Sequence, residues 1–373
     1  MSHMATLVQK AKLTNDPAAV TTALKFTEQA VRIGGEVLEV ENVRGQALLF
    51  LRKYDEAIES FIKARDQQPS NLLTLTGLAT TYQQKALYGV QVSPPQRDDF
   101  LRKAQETFQS AVLFWPLYWG ARNELGGFYF DQGQYNQARK EWERAIELNP
   151  NSTWGHINLG NVYIKLGQNA EAEKSFRRAF DQLTENQQTK EEAYLGWGTA
   201  IYYLGRFPEA AQIFVMGREQ YPQSYLLQIN LGDALRQMTG REKEARMAYQ
   251  KAIELLEKTQ RDEGATGWAH LAEVYAKRSK IQAAQDSPPT NDSQQALRFI
   301  RLALANAPQE ADVLASATLV YQLTGDTSQA LEYCRQALMQ GYGLADVEHE
   351  PDLLELRFDK RYEDMKRKFP KPS

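Results

Sequence analysis

With 373 residues, 44 basic side chains and 47 acidic ones, the chain exceeds one ordinary core, and its net charge of −3 predicts no global attraction to nucleic acid or anionic membranes. Its composition, 24% charged and 42% hydrophobic, is that of a folded protein, and no apolar run approaches the roughly 18–20 residues that span a bilayer. The single cysteine, Cys334, excludes an intrachain disulfide and falls in a core slot of a helix, where an inert buried thiol is expected. Met1-Ser2-His3-Met4 reads as an expression scar, with the natural segment starting near Ala5. Residues 5–37 read as a degenerate helix pair, with Asp16-Pro17 opening the second helix as cap and first-turn proline.

From residue 38 onward a helical pattern recurs. Arg44-Gly45, Leu48, Tyr54, Ala57, Phe61, Ala64 and Pro69 mark residues 38–71. Leu78-Ala79, Tyr82, Ala104, Phe108, Ala111 and Pro116 mark 72–118, with an insert near 87–99 that contains Ser93-Pro94-Pro95. The two clearest copies follow. Leu125-Gly126, Tyr129, Gly133, Ala138, Trp142 and Ala145 are echoed 34 positions later by Leu159-Gly160, Tyr163, Gly167, Ala172, Phe176 and Ala179. Trp197-Gly198, Gly205, Ala210, Phe214 and Pro222 continue the series over 191–224, and Leu231-Gly232, Ala245, Tyr249 and Ala252 come next. Leu271-Ala272, Tyr275, Ala296, Ile300 and Pro308 form a seventh copy with an insert near 279–293, and Ala317-Thr318, Gly325, Ala330, Cys334 and Ala337 an eighth.

Small residues at the eighth, twentieth and twenty-seventh slots let antiparallel helices approach, and a large residue at the twenty-fourth fills the space between them. Glycine near the fifteenth predicts a left-handed end to the first helix, and proline near the thirty-second stops the second. A 34-residue period with these slots resembles the tetratricopeptide repeat. The resemblance implies an all-α, right-handed superhelical solenoid with eight repeats over 38–344 and a C-terminal capping helix and tail over 345–373. One amphipathic helix is expected over Asp352–Lys368, its apolar side formed by Leu353, Leu356, Tyr362, Met365 and Phe369.

Motifs for chemistry are few. Four histidines and one cysteine offer no metal-ligand spacing, so no metal is expected. No phosphate loop, nucleophile elbow or kinase catalytic loop is present, so neither a cofactor nor catalysis is expected. In an array of this kind the first helix of each repeat lines the concave face. Its candidate binding residues are Asn123, Phe130, Trp154, Asn158, Asn161, Tyr202, Asn230, Asp233 and Arg236, with Lys165 beside Ile164. Apolar groups flanked by amides suit an extended peptide, because an amide bonds both C=O and N–H. Asn158 and Asn230 share one repeat position, which resembles the asparagine ladder of O-linked N-acetylglucosamine transferase superhelices, although Glu124 and Gly196 interrupt it here. The aromatic run Phe114-Trp115-Pro116-Leu117-Tyr118-Trp119 is expected to be inter-repeat core.

From Trp119 to Phe369 the motif order resembles the C-terminal repeat region of bacterial proteins that join such arrays to a serine/threonine kinase or another signalling module. Gly240-Arg241-Glu242-Lys243-Glu244-Ala245, Gly341-Tyr342 and Glu350-Pro351-Asp352-Leu353 carry this resemblance. It implies a non-catalytic, partner-recruiting part of a larger signalling protein, expected in the cytoplasm, or in the periplasm if a membrane helix precedes it. The expected partner is a protein or an extended peptide, without nucleic acid or membrane insertion, and with self-association open. The alternative reading is a small-molecule or oligomerisation sensor that acts through superhelix curvature.

Overall fold

The computed structural model describes residues 17–32, 37–182, 187–281 and 291–369. The residue 1–4 scar, the first helix of the N-terminal pair and the Ser287-Pro288-Pro289 loop lie outside the described residues. Every regular element described is helical. In chain order these are α1 (Pro17–Arg32), α2 (Val37–Phe50), α3 (Tyr54–Gln67), α4 (Leu72–Tyr88), α5 (Pro94–Phe114), α6 (Trp119–Asp131) and α7 (Tyr135–Leu148). They continue as α8 (Thr153–Lys165), α9 (Asn169–Asp181), α10 (Gln187–Tyr203), α11 (Phe207–Gln220), α12 (Tyr225–Arg236) and α13 (Glu242–Ser279). The last are α14 (Asp292–Asn306), α15 (Ala311–Thr324), α16 (Thr327–Met339), α17 (Leu344–His349), a 3-10 turn (Pro351–Leu353), α18 (Leu354–Arg357) and α19 (Lys360–Lys366). The chain divides into two compact units: the residues up to Asp131 with Lys140–Pro150, and Gln132–Arg139 with the residues from Asn151 onward.

Local chemistry explains the helix ends. The side chains of Asn71, Ser152 and Ser224 accept hydrogen bonds from the backbone N–H three residues on, which caps α4, α8 and α12. Each such cap contributes about 1 kcal/mol. Gly133, Gly167 and Gly205 take φ of 69°, 71° and 74° where first helices end, the conformation their slot requires.

Packing follows the aromatic slot. In the first unit the buried Phe61 of α3 lies between Gly45 of α2 and Gly77 of α4, where a Cβ would come within 2.8 and 2.5 Å of the ring. In the second unit Phe176 of α9 is held likewise between Gly160 of α8 and Gly196 of α10, where a Cβ would stand 2.7 and 2.2 Å away. One ring thus binds a helix pair internally and to the next pair.

Four departures from the sequence expectation have physical causes. The residue 87–99 segment is largely helix, because Ser93 and Gln96 form a capping box and Pro94 sits in the first turn of α5. Residues 242–279 are two helices, as the repeat pattern expects, but they meet end to end at Gly264, whose φ of 56° no helix interior adopts, with no loop between them. The expected helix over 352–368 is broken, since the Asp359 carboxylate accepts from the Arg361 N–H and starts α19 afresh. Its apolar side is still buried at Leu353, Leu356, Tyr362 and Met365, with α18 and α19 against α16. The Phe114–Tyr118 run is not core: Phe114, Trp115, Leu117 and Tyr118 are exposed, and the Trp115 indole donates to the Ser70 carbonyl at 2.7 Å.

Candidate functional site

In the second unit, the first helices α8, α10, α12 and the later half of α13 present polar side chains to one common face. Near its start, Trp154, Asn158 and Asn161 of α8 line a pocket of about 460 Å³ with Ile157, Ile164 and, from α10, Glu192, Leu195 and Thr199. Trp154 is 43% exposed there, a large apolar surface beside two amides. Three of the sequence-predicted residues are therefore neighbours.

Further along, the same face is occupied by the chain itself. Residues 343–353, made of α17 and the 3-10 turn, lie across it as a strap. Lys165 at the end of α8 reaches Asp346 at 2.7 Å. The Tyr203 ring of α10 lies 5.9 Å from the His349 ring. Gly167 also admits His349, since a Cβ there would stand 2.8 Å from the imidazole Cε1. Arg236 at the end of α12 donates from one Nη to both Asp352 oxygens, at 2.7 and 2.6 Å. Leu344, Val347 and Leu353 are buried beneath. Arg357 braces the strap by donating to the carbonyls of Val347 and Glu348.

Asp233 accepts from Lys277 at 2.7 Å and from the Tyr249 hydroxyl at 2.6 Å, and Arg236 Nε donates to that hydroxyl at 3.3 Å. Tyr202 is buried and accepts from Gln237 at 3.4 Å. Burial raises the Tyr202 hydroxyl well above its ordinary value, helped by Asp233. Asn230 lines a cavity of about 170 Å³ with Tyr202, Asp233, Lys277 and Glu350. Burial lifts the Glu350 carboxyl to about 7 against the opposing pull of Lys277. A second cavity of about 490 Å³, walled in part by Lys165, His270, Glu273, Asp312, Tyr342 and Glu350, lies under the strap. His270 Nδ1 is buried there without a hydrogen bond.

Two predicted residues belong to the first unit. The Asn123 carbonyl accepts from the Trp142 indole at 3.1 Å, and Phe130 packs 5.5 Å from the Trp142 ring. Sequence reasoning passed over Lys277, Tyr203 and the strap, and weighed His270 only as a metal ligand; the signal for the strap was Glu350-Pro351-Asp352-Leu353, three acids or apolar groups about a helix-breaking proline. Outside this face, a cleft of about 1380 Å³ lies between α11 and α13, lined by Val215, Met216, Leu231, Met238 and Met247 among others. Among the described residues no three His, Cys, Asp or Glu side chains form a metal-binding group, and no helix is long and apolar enough to cross a membrane.

Residues 42–71 and 195–265 match tetratricopeptide repeat families, and residues 126–179 match a further TPR repeat family. The chain is a tetratricopeptide repeat protein with an all-α fold. Among curated proteins it is 26% identical over 202 residues to human RNA polymerase II-associated protein 3, covering 51% of this chain and 28% of that one. It is 25% identical over 143 residues to the heat-shock protein cognate co-chaperone sgt12 of Aspergillus fumigatus, covering 38% of each. The chain thus spans well under half the length of these relatives. Among solved structures, a tetratricopeptide repeat protein from Parabacteroides merdae has a TM-score of 0.51 at 17% identity, covering 87% of this chain and all of that one. Yeast Tom70 has a TM-score of 0.52 at 14% identity, covering 88% of this chain and 66% of the other.

Proposed function

We propose that this chain is a non-catalytic scaffold that binds a protein or an extended peptide, and that it is the partner-recruiting part of a larger bacterial signalling protein of the kinase-linked kind. Its eight repeats would run over residues 38–344. The observation that carries the reading is the pocket of about 460 Å³ in which Trp154 stands beside Asn158 and Asn161. An exposed indole supplies apolar area, and the two amides fix the direction of a peptide backbone. The likeness to a co-chaperone favours a protein partner over other ligands. The kinase link is supported by the Gly341-Tyr342 and Glu350-Pro351-Asp352-Leu353 ending.

A peptide-display selection on the immobilised chain tests the reading. Selected peptides should lose at least tenfold in affinity when Asn158 and Asn230 are both replaced by Ala; unchanged affinity with an intact helical spectrum refutes the groove assignment. The small-molecule reading has one observation in its favour, the cavity of about 490 Å³ with its unbonded His270 Nδ1. A thermal shift with a metabolite, lost in His270→Ala, would favour it.

A further inference from the structure

The strap shows what the groove beneath it recognises. Lys165 and Arg236 are mostly covered, with 31% and 15% of their side chains exposed, and the carboxylates paired with them come from the strap. Without it, two cations would stand on a half-buried face lacking those partners, a costly arrangement. The groove therefore demands a ligand that brings carboxylates. Its apolar anchors are equally specific: Leu344 and Val347 flank Asp346, and Leu353 follows Asp352.

The strap also fits imperfectly. A pocket of about 490 Å³, partly open to solvent, borders it, so the strap is not packed on every side as a core element is. Glu350 accepts from the Asp352 N–H of its own turn at 3.2 Å and stands in a pocket with two further acids, Asp233 and Glu273. These features suit a segment that can leave.

We infer that residues 343–353 are an internal pseudo-ligand, and that the groove takes an acidic partner segment with two carboxylates beside aliphatic residues, which enters by displacing the strap. This rests on the protein-binding reading above and adds its partner chemistry and its regulation. Because the strap is tethered, its effective concentration is on the order of millimolar, so a free segment of equal quality competes poorly until the strap is weakened.

The test uses the full chain and a fluorescein-labelled synthetic peptide of residues 342–355. The release variant Asp346→Ala/Asp352→Ala should bind this peptide at least tenfold more tightly than the unaltered chain. A peptide with Asn in place of both aspartates should bind the variant at least tenfold more weakly than the acidic one. Equal affinity for the two proteins, or for the two peptides, overturns the inference. If the variant loses its helical spectrum, amide exchange of Leu344–His349 in the unaltered chain decides: excess acidic peptide must accelerate it, and unchanged exchange overturns the inference. A chain that takes displayed peptides through Asn158 and Asn230 but ignores the strap peptide refutes this inference alone; one that takes neither refutes the scaffold reading too.

Discussion

Replacing Asp352 with Ala removes the carboxylate that Arg236 holds at 2.7 and 2.6 Å, where the two side chains are only 7% and 15% exposed. Breaking a buried pair by deleting one partner costs about 3–5 kcal/mol, because the surviving charge stays desolvated. Arg236 keeps its bond to the Tyr249 hydroxyl and the nearby charge of Asp233, which places the expected loss at the lower end, about 3 kcal/mol. Since 1.4 kcal/mol is a factor of ten, the open strap should be populated roughly a hundredfold more. Native-state amide exchange across Leu344–His349 reads that opening, and urea unfolding reads any global share. In a double-mutant cycle with Arg236→Ala, the coupling should be about 2 kcal/mol, well above the roughly 0.5 kcal/mol scatter of independent sites. A coupling within that scatter would refute the claim that the pair holds the strap down.

Phe176→Ala should lower stability by about 3–5 kcal/mol, since a fully buried ring between two glycines leaves a cavity that neither side can fill; a loss under about 1 kcal/mol in urea would contradict the packing account. Burial pushes the Cys334 thiol up to about 12, so an aromatic disulfide reagent at pH 8 should label it only as fast as the chain opens, and rapid labelling would show an accessible thiolate. Glu350 sits at about 7 against an ordinary 4.5, raised by burial and, more weakly, by Asp352 and Asp233 while Lys277 opposes. Its contribution is fully present below the ordinary value and is lost as pH rises from about 4.5 through about 7, so strap protection factors, with intrinsic base-catalysed exchange divided out, should fall across that window. Glu350→Gln should flatten that profile; an unchanged slope would assign it to another group.

The repeat slots were legible because each has a steric reason local to two helices. Gly160 and Phe176 stand 16 positions apart and meet within one helix pair, so periodicity alone foretold their contact. Asn158 and Asn161 were legible for the same reason, as positions on a known helix face. The strap was not. Lys165 and Asp346 are 181 residues apart, and neither residue carries a local pattern that announces the other. The expected helix over 352–368 failed where side-chain capping outweighed amphipathic period: Asp359 caps its own backbone and restarts the chain. The exposed Phe114–Tyr118 run failed for a different reason, since composition records hydrophobicity without saying whether a neighbour arrives to cover it.

The strap has a consequence for how the second unit comes into being. A stacked array ordinarily folds from any point, each pair resting on the one before, so a growing chain can consolidate as it emerges. Here α8 and α12 finish their ion pairs only with Asp346 and Asp352, 181 and 116 residues further along the chain. Ring closure of this kind turns a row of nearest-neighbour contacts into a cycle, which raises contact order and slows completion. During synthesis, Lys165 and Arg236 would meet solvent and passing proteins for the whole interval before residues 343–353 appear. The unit is thus born with this face open and shuts it only when the strap arrives.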